Sequence, residues 1–327
     1  MRVVPVEEAV GLRLAHDLTR IVPGEGKGPA FKRGHLVQAA DIPLLLSMGK
    51  EHLYVFNAEQ PGLLHEEEAA ERLARSGVMS GINWGAPREG KVSLKAAHRG
   101  LLRVDAAKLE EINAIGEITI ATLRDRTPVD EGQLLAGCKV TPLLIPEVQV
   151  AEAEGLGGWI QVKPFKARPA AIIVTGSEVF KGRIEDKFGP VVEAKLAAYG
   201  CPVVYRAVSD DRAELTAQKI REAVAAGAEI ILCTGGMSVD PDDATPGAIR
   251  QVANVVTYGA PVLPGSMLML GYVHGEKPVF GLPGAVMFEA FTLFDMLLPI
   301  VLAGEILTKR EFIRLGHGGL LPKAGLW

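Results

Sequence analysis

Ala170-Ala-Ile-Ile-Val-Thr175 is an unbroken apolar run that stops in Gly176, Ser177 and Glu178. It shows no alternation, the pattern of a strand covered on both faces. Gly189 to Tyr199 then reads as a helix stopped by Gly200, and Pro202 to Val208 as a second strand. A helix from about Asp211 to Ala226 follows, and Glu229-Ile-Ile-Leu-Cys-Thr234 is a third strand running into Gly235-Gly236. Strands that alternate with helices of this length require parallel crossovers and helices on both sheet faces. The fold class expected is α/β: a three-layer sandwich around a mostly parallel sheet over residues 166–305, joined to smaller amino-terminal α+β or β-rich modules.

Upstream the pattern changes. Residues 1–57 include a helix at Asp41-Ile-Pro-Leu-Leu-Leu-Ser-Met48, with Asp41 as N-cap and Pro43 in its first turn. Residues 58–165 open with an acidic amphipathic helix, Glu66 to Arg75. They continue in short runs separated by turn residues, a small β-rich module. Residues 306–327 form a tail. Val286 to Leu302 reads as one helix, apolar nearly all round, and such a helix must be buried against something. Self-association through it, giving a homo-oligomer, is the expectation. Its Glu289, Asp295 and Pro299 argue against a membrane span.

Composition narrows the partners. The 327 residues carry 35 basic and 39 acidic side chains, a net charge of −4, so no positive field exists to hold nucleic acid. Three well-separated cysteines, Cys138, Cys201 and Cys233, exclude a disulfide framework and a closed zinc site. Met1 to Val6 runs into Glu7-Glu8 without an apolar core, so no secretory signal is read and a cytoplasmic location is expected.

In an open parallel sheet, ligands bind beyond the carboxyl ends of the strands. Polar residues and glycines gather at those places: Thr175-Gly176-Ser177-Glu178, Ser209-Asp210-Asp211, Gly235-Gly236-Met-Ser238, Asp240-Pro-Asp242-Asp243-Ala-Thr245, and Leu282-Pro283-Gly284. Each has a capping explanation as well. Asp211 with Glu214 fits a capping box, and Thr245 before Pro246 fits an N-cap with proline at N1. The ligand reading gives Thr175, Ser177, Ser238 and the glycine amides a phosphate. It gives Glu178, Asp210, Asp242 and Asp243 a divalent cation, since Mg²⁺ favours carboxylates together with substrate phosphates.

These pieces carry a resemblance. In order and spacing, Thr175-Gly-Ser-Glu178, Gly182-Arg-Ile-Glu-Asp186, Ser209-Asp210-Asp211, Thr234-Gly-Gly-Met-Ser-Val239, Asp243, Pro264-Gly265 and Gly281-Leu-Pro283-Gly284 resemble the molybdopterin-binding domain of molybdenum-cofactor biosynthesis proteins. Within that group they are most similar to the molybdopterin molybdenumtransferases, the molybdenum insertases. Glu8 to Asp17, Phe31-Lys-Arg-Gly34 and Asp41 to Gly49 resemble that family's amino-terminal segments, with a whole domain missing between them. The resemblance implies molybdopterin or its adenylylated form as ligand. Thr175, Gly176, Ser177, Glu178, Gly235, Gly236, Ser238, Pro264, Gly265, Pro283 and Gly284 would bind it. It further implies Mg²⁺ on Glu178, Asp210 and Asp243, with Asp210 and Asp243 in the catalytic positions. A molybdoenzyme or another cofactor-assembly protein is the implied macromolecular partner.

One departure bears on activity. Where the insertase has lysines around a Lys-Pro-Gly-Lys stretch, this chain has Gly259, Leu263 and Ser266 beside Pro264-Gly265. An oxyanion site stripped of cations loses its strongest hydrogen bonds. Three readings follow: a binding and delivery protein, an active Mg²⁺-dependent molybdenumtransferase, and a nucleotide pyrophosphatase. The last rests on Asp240-Pro-Asp-Asp-Ala-Thr245, which resembles the competence/damage-inducible family.

Overall fold

A computed structural model of the chain describes residues 1–22, 26–56, 61–238 and 243–321. The chain divides into two compact units, Met1–Lys163 and Pro164–Trp327.

The first unit holds two apolar clusters. One gathers Val4, Leu14, Leu45, Leu53 and Val55, around the antiparallel pair Arg2–Pro5 and His52–Val55. Its helix spans Ile42–Ser47. Asp41 makes no side-chain cap to that helix; its carboxylate turns back onto the Gln38 amide (2.9 Å) and the His35 ring (2.7 Å). The other cluster is built around fully buried Leu73, Val92, Leu94, Leu102 and Trp159. Here Ile82–Trp84, Lys91–Ala96, Leu134–Val140 and Ile118–Thr122 form an antiparallel sheet in that spatial order. Besides strands, this β-rich stretch carries three helices, Glu66–Gly77, Ala106–Asn113 and Glu147–Gly155. His65 joins the two clusters: its buried ring contacts the Ala15 carbonyl at 2.8 Å through Nε2 and accepts from the Glu67 amide at 3.2 Å through Nδ1.

The second unit is a three-layer α/β sandwich. Its strands are β1 (Ala170–Thr175), β2 (Val203–Ser209), β3 (Ile230–Thr234), β4 (Asn254–Tyr258), β5 (Met269–Val273) and β6 (Lys277–Leu282). They lie in the order β2-β1-β3-β6-β5-β4. β2, β1, β3 and β6 run parallel, and β5 is antiparallel to both β6 and β4. Every residue of β1 and β3 is buried, as the absence of alternation requires, whereas the edge strand β2 leaves Val204 and Val208 exposed. Because chain order reverses between β1 and β3, their carboxyl ends flank a topological switch point.

The helices are α1 (Ser177–Phe180), α2 (Phe188–Ala197), α3 (Ala213–Ala225), α4 (Thr245–Val252), α5 (Ala285–Phe288), α6 (Leu293–Leu302) and α7 (Lys309–Arg314). On one sheet face Ile220 and Ala223 of α3 and Ile249 of α4 pack with Ala171, Ile173, Ile231 and Cys233. On the other, α2 covers β1, and Phe294 of α6 meets Phe280 edge-on at 5.5 Å between ring centres.

The single helix expected from Val286 to Leu302 is two, α5 and α6. Thr292 restarts the chain: its amide and hydroxyl both bond the Asp295 carboxylate, at 2.8 and 2.9 Å, in a capping box. Of the ten residues of α6, eight are buried, so the domain itself covers the apolar circumference and the helix needs no second copy. The exposed apolar groups are instead Phe288 (78%) and Phe291 (40%), before the restart. Among the described residues no helix is long and apolar enough to cross a membrane.

Candidate functional site

The carboxyl ends of β1 and β3 carry two different arrangements, one on each sheet face. Towards α4, hydroxyls tie the turns together. Thr175 Oγ1 donates to the Thr234 carbonyl (3.0 Å), Thr245 Oγ1 donates to the Gly235 carbonyl (2.9 Å), and the two hydroxyls lie 3.0 Å apart. Thr175 and Thr245 are both buried. Gly235 and Gly236 have φ of +86° and +54°, and a Cβ on Gly235 would stand 2.4 Å from the Thr175 carbonyl oxygen. The glycines are therefore demanded by this tie as well as by any ligand. Thr245 is the first residue of α4 and makes no N-cap bond, which replaces the capping explanation with a tertiary one.

The turn after β1 is closed by β2. The Ser177 amide donates to Asp211 Oδ2 at 2.7 Å, and the Gly176 amide to the Ser209 carbonyl at 3.2 Å. Ser177, expected to help hold a phosphate, thus has its amide occupied by a carboxylate of the same domain. Asp211 spends its carboxylate there, and the N-cap residue of α3 is Arg212, which makes no side-chain cap, so the Asp211–Glu214 capping box is not formed. Asp210 accepts from the Asp211 amide (3.0 Å) and lies 3.6 Å from the Arg212 guanidinium.

Glu178, Asp210 and Asp243, expected to share an ion, are not gathered. Among the described residues no group of three His, Cys, Asp or Glu side chains is spaced to hold a metal. Asp210 turns back on its own loop, and Asp243 keeps one carboxylate oxygen, Oδ2, buried without a hydrogen-bond partner. Among the described residues, Glu178, Asp210 and Asp243 make no preformed three-carboxylate site. Asp240 and Asp242 lie outside the described residues.

Towards α2 the same strand ends open into a cavity of about 620 Å³. Val174 and Thr234 are direct register partners on β1 and β3, and both line it, with Val179 of α1, Ile184, Phe188 of α2 and Met287 of α5. Three charged residues, Glu185, Asp186 and Lys187, complete one wall. Thr234 is fully buried and its Oγ1 has no hydrogen-bond partner. A buried unsatisfied hydroxyl costs about 1–3 kcal/mol, and one at a cavity wall calls for an explanation. An apolar cleft with a few polar groups suits a small organic ligand.

Of the expected binding residues, Thr175 and Gly235 line the cavity. Gly236 lies on the α4 side, where a Cβ would meet the Thr245 hydroxyl at 3.0 Å. Ser238 is exposed, its carbonyl accepting from the Tyr258 hydroxyl at 3.4 Å. Pro264 and Gly265 pack on the start of α6: the Leu293 amide donates to the Pro264 carbonyl, and a Gly265 Cβ would meet the Leu293 nitrogen at 3.2 Å. Pro283 and Gly284 lead into α5, whose Met287 reaches the cavity. Thr234, Asp186, Phe188 and Met287 also line the cavity and are not among the expected binding residues. Asp186 and Thr234 both lie within the quoted motifs, and Thr234 is further signalled by its place two residues after Leu232, on the face opposite Cys233.

No lysine stands at 259–266. Lys277 opens β6 and so sits at the other end of the strand from Leu282, roughly 16 Å away. The cysteines are packing residues: burial pushes the Cys138 and Cys233 thiols up to about 12.

Comparison with known proteins matches the same stretch of the chain. Residues 171–303 match the family described as a probable molybdopterin binding domain, and residues 3–57 match a domain family of unknown function. A molybdopterin molybdenumtransferase of Staphylococcus epidermidis is 26% identical over 147 residues, covering 42% of this chain and 35% of that one. A molybdopterin adenylyltransferase of Pyrococcus furiosus is 28% identical over 130 residues, covering 35% of this chain and 76% of that one. A CinA-like protein of Mycobacterium sp. (strain JLS) is 36% identical over 83 residues, 25% of this chain and 20% of that one. The chain thus spans only a fifth to a third of the CinA-like and molybdenumtransferase relatives.

Proposed function

Because residues 171–303 carry a domain of the molybdopterin-binding family, we propose that this chain binds molybdopterin or its adenylylated form and serves molybdenum-cofactor assembly or delivery. The observation that carries the reading is the cavity at the β1/β3 switch point, with the unpartnered Thr234 hydroxyl in its wall. Its apolar side chains suit a fused ring, and the glycine turn beside it suits the ring's phosphate tail. When bound, molybdopterin supplies the dithiolene that receives the metal. The chain's own residues orient the ring and exclude water from it. A molybdoenzyme or another assembly protein is the proposed recipient.

Molybdate insertion is expected to be weak. Molybdate is a dianion, and no lysine stands at 259–266 to give it charge-assisted hydrogen bonds. Each charged hydrogen bond contributes about 1.5–3 kcal/mol, so losing two or three lysines costs several powers of ten in occupancy, at about 1.4 kcal/mol per ten-fold. A second reading, cleavage of a nucleotide pyrophosphate, is favoured by the CinA-like match. Titration of the full chain with molybdopterin, followed by ligand fluorescence, tests the proposal. Saturable binding without turnover of adenylylated molybdopterin in Mg²⁺ and molybdate is expected. Absence of binding, or turnover at the rate of an authentic insertase, contradicts it.

A further inference from the structure

Asp186 stands in the cavity wall at the mouth of α2. Its Oδ1 accepts from the Phe188 and Gly189 amides, both at 2.9 Å, so the carboxylate is fixed in orientation by two bonds. Among the described residues no hydrogen bond reaches its Oδ2. On the strand floor the fully buried Thr234 Oγ1 is likewise without a partner. Val174, Val179, Phe188 and Met287 supply the apolar surface between these polar points.

We propose that Asp186 reads the 2-amino-4-oxopyrimidine edge of a flat heterocycle held in this cavity, with Thr234 contributing the second polar contact. This edge is shared by pterins and guanine. It presents an exocyclic amino group beside a ring N–H, two adjacent donors that a carboxylate oxygen accepts. Adenine offers a bare ring nitrogen beside its amino group, and its lone pair opposes the carboxylate. A 2,4-dioxo ring such as lumazine replaces the amino donor by a carbonyl, again an acceptor facing an acceptor. Specificity of this kind comes as much from the mismatch as from the match. The inference rests on the molybdopterin reading for its ligand class and adds the residue that selects the ring.

The test is an exchange of preference. Asp186→Asn keeps Oδ1, and with it the two amide bonds to the start of α2, but turns Oδ2 into an NH₂ donor. Pterin, lumazine, guanosine monophosphate and adenosine monophosphate are titrated against the full chain and the variant. The unaltered chain is expected to prefer pterin to lumazine by about ten-fold or more, and guanosine to adenosine monophosphate likewise. In Asp186→Asn the pterin preference is expected to invert towards lumazine. Asp186→Ser, which retains a capping oxygen and has no counterpart of Oδ2, is expected to abolish the preference without inverting it, and it serves if the Asn variant does not fold. An unchanged pterin-to-lumazine ratio in a folded variant overturns the inference, even where molybdopterin still binds. Binding of guanosine monophosphate but not pterin keeps the edge recognition and removes the pterin reading. Binding of none of the four probes overturns the inference.

Discussion

Thr234 and Gly235 are neighbours with opposite demands. The Thr234 hydroxyl is buried and unpartnered, so Thr234→Val, nearly the same shape, removes a cost from the empty protein. We expect its melting temperature to hold or rise while ligand affinity falls by about ten-fold, read by thermal unfolding with and without ligand. Gly235→Ala should do the reverse. A Cβ there stands 2.4 Å from backbone at a φ of +86°, so a loss of about 1–3 kcal/mol in the empty protein is expected from thermal unfolding. For the same reason substitutions at Gly236 are poor probes of ligand contact. The sequence marks Thr175, Ser177 and Asp211 as polar residues at strand ends. It does not say that Asp211 will take the Ser177 amide, because that bond joins residues far apart in the chain. Types and places were legible, and hydrogen-bond partners were not.

At the scale of elements, β1 to β3 and their helices were readable because buried parallel strands leave no alternation. β4 and β5 were not. They are linked through a Gly- and Pro-containing stretch, and β5 returns antiparallel, contrary to the repeating crossover. The split between α5 and α6 had a local signature, Thr292 with Asp295, which the surrounding apolar run obscured. That restart is fixed from outside by Lys195 of α2. Its ammonium lies 2.6 Å from the Asp295 carboxylate, and both side chains are only 16% exposed. Lys195→Met leaves Asp295 with its capping bonds but without its cation. A loss of about 1.5–3 kcal/mol is expected in chemical denaturation. A loss below about 0.5 kcal/mol would show that the pair does not fix α6.

For the whole molecule, pH acts on the first unit through His65. Burial, and then the neighbouring Arg33, hold its ring below the ordinary 6.5. A histidine with a depressed folded value stabilises the fold in its neutral form, fully above 6.5, and the contribution is lost as pH falls through the folded value. Protonation would also put a hydrogen on Nδ1, which accepts the Glu67 amide at the start of helix Glu66–Gly77. His65→Asn keeps an N-cap acceptor without titrating. The melting temperature of the unaltered chain is therefore expected to fall more steeply below pH 6.5 than that of the variant, the difference cancelling the opposite shift at Glu66. Parallel curves would refute this. Self-association remains a proposal, now resting on exposed Phe288 and Phe291; Phe288→Ser is expected to lower the sedimentation coefficient at micromolar concentration. A crystal structure of the full chain with molybdopterin is expected to show the pterin in the cavity between Thr234 and Phe188, its amino edge on Asp186 and its phosphate at the Gly235–Gly236 turn. A pterin found elsewhere in the chain, with this cavity empty, would contradict the account.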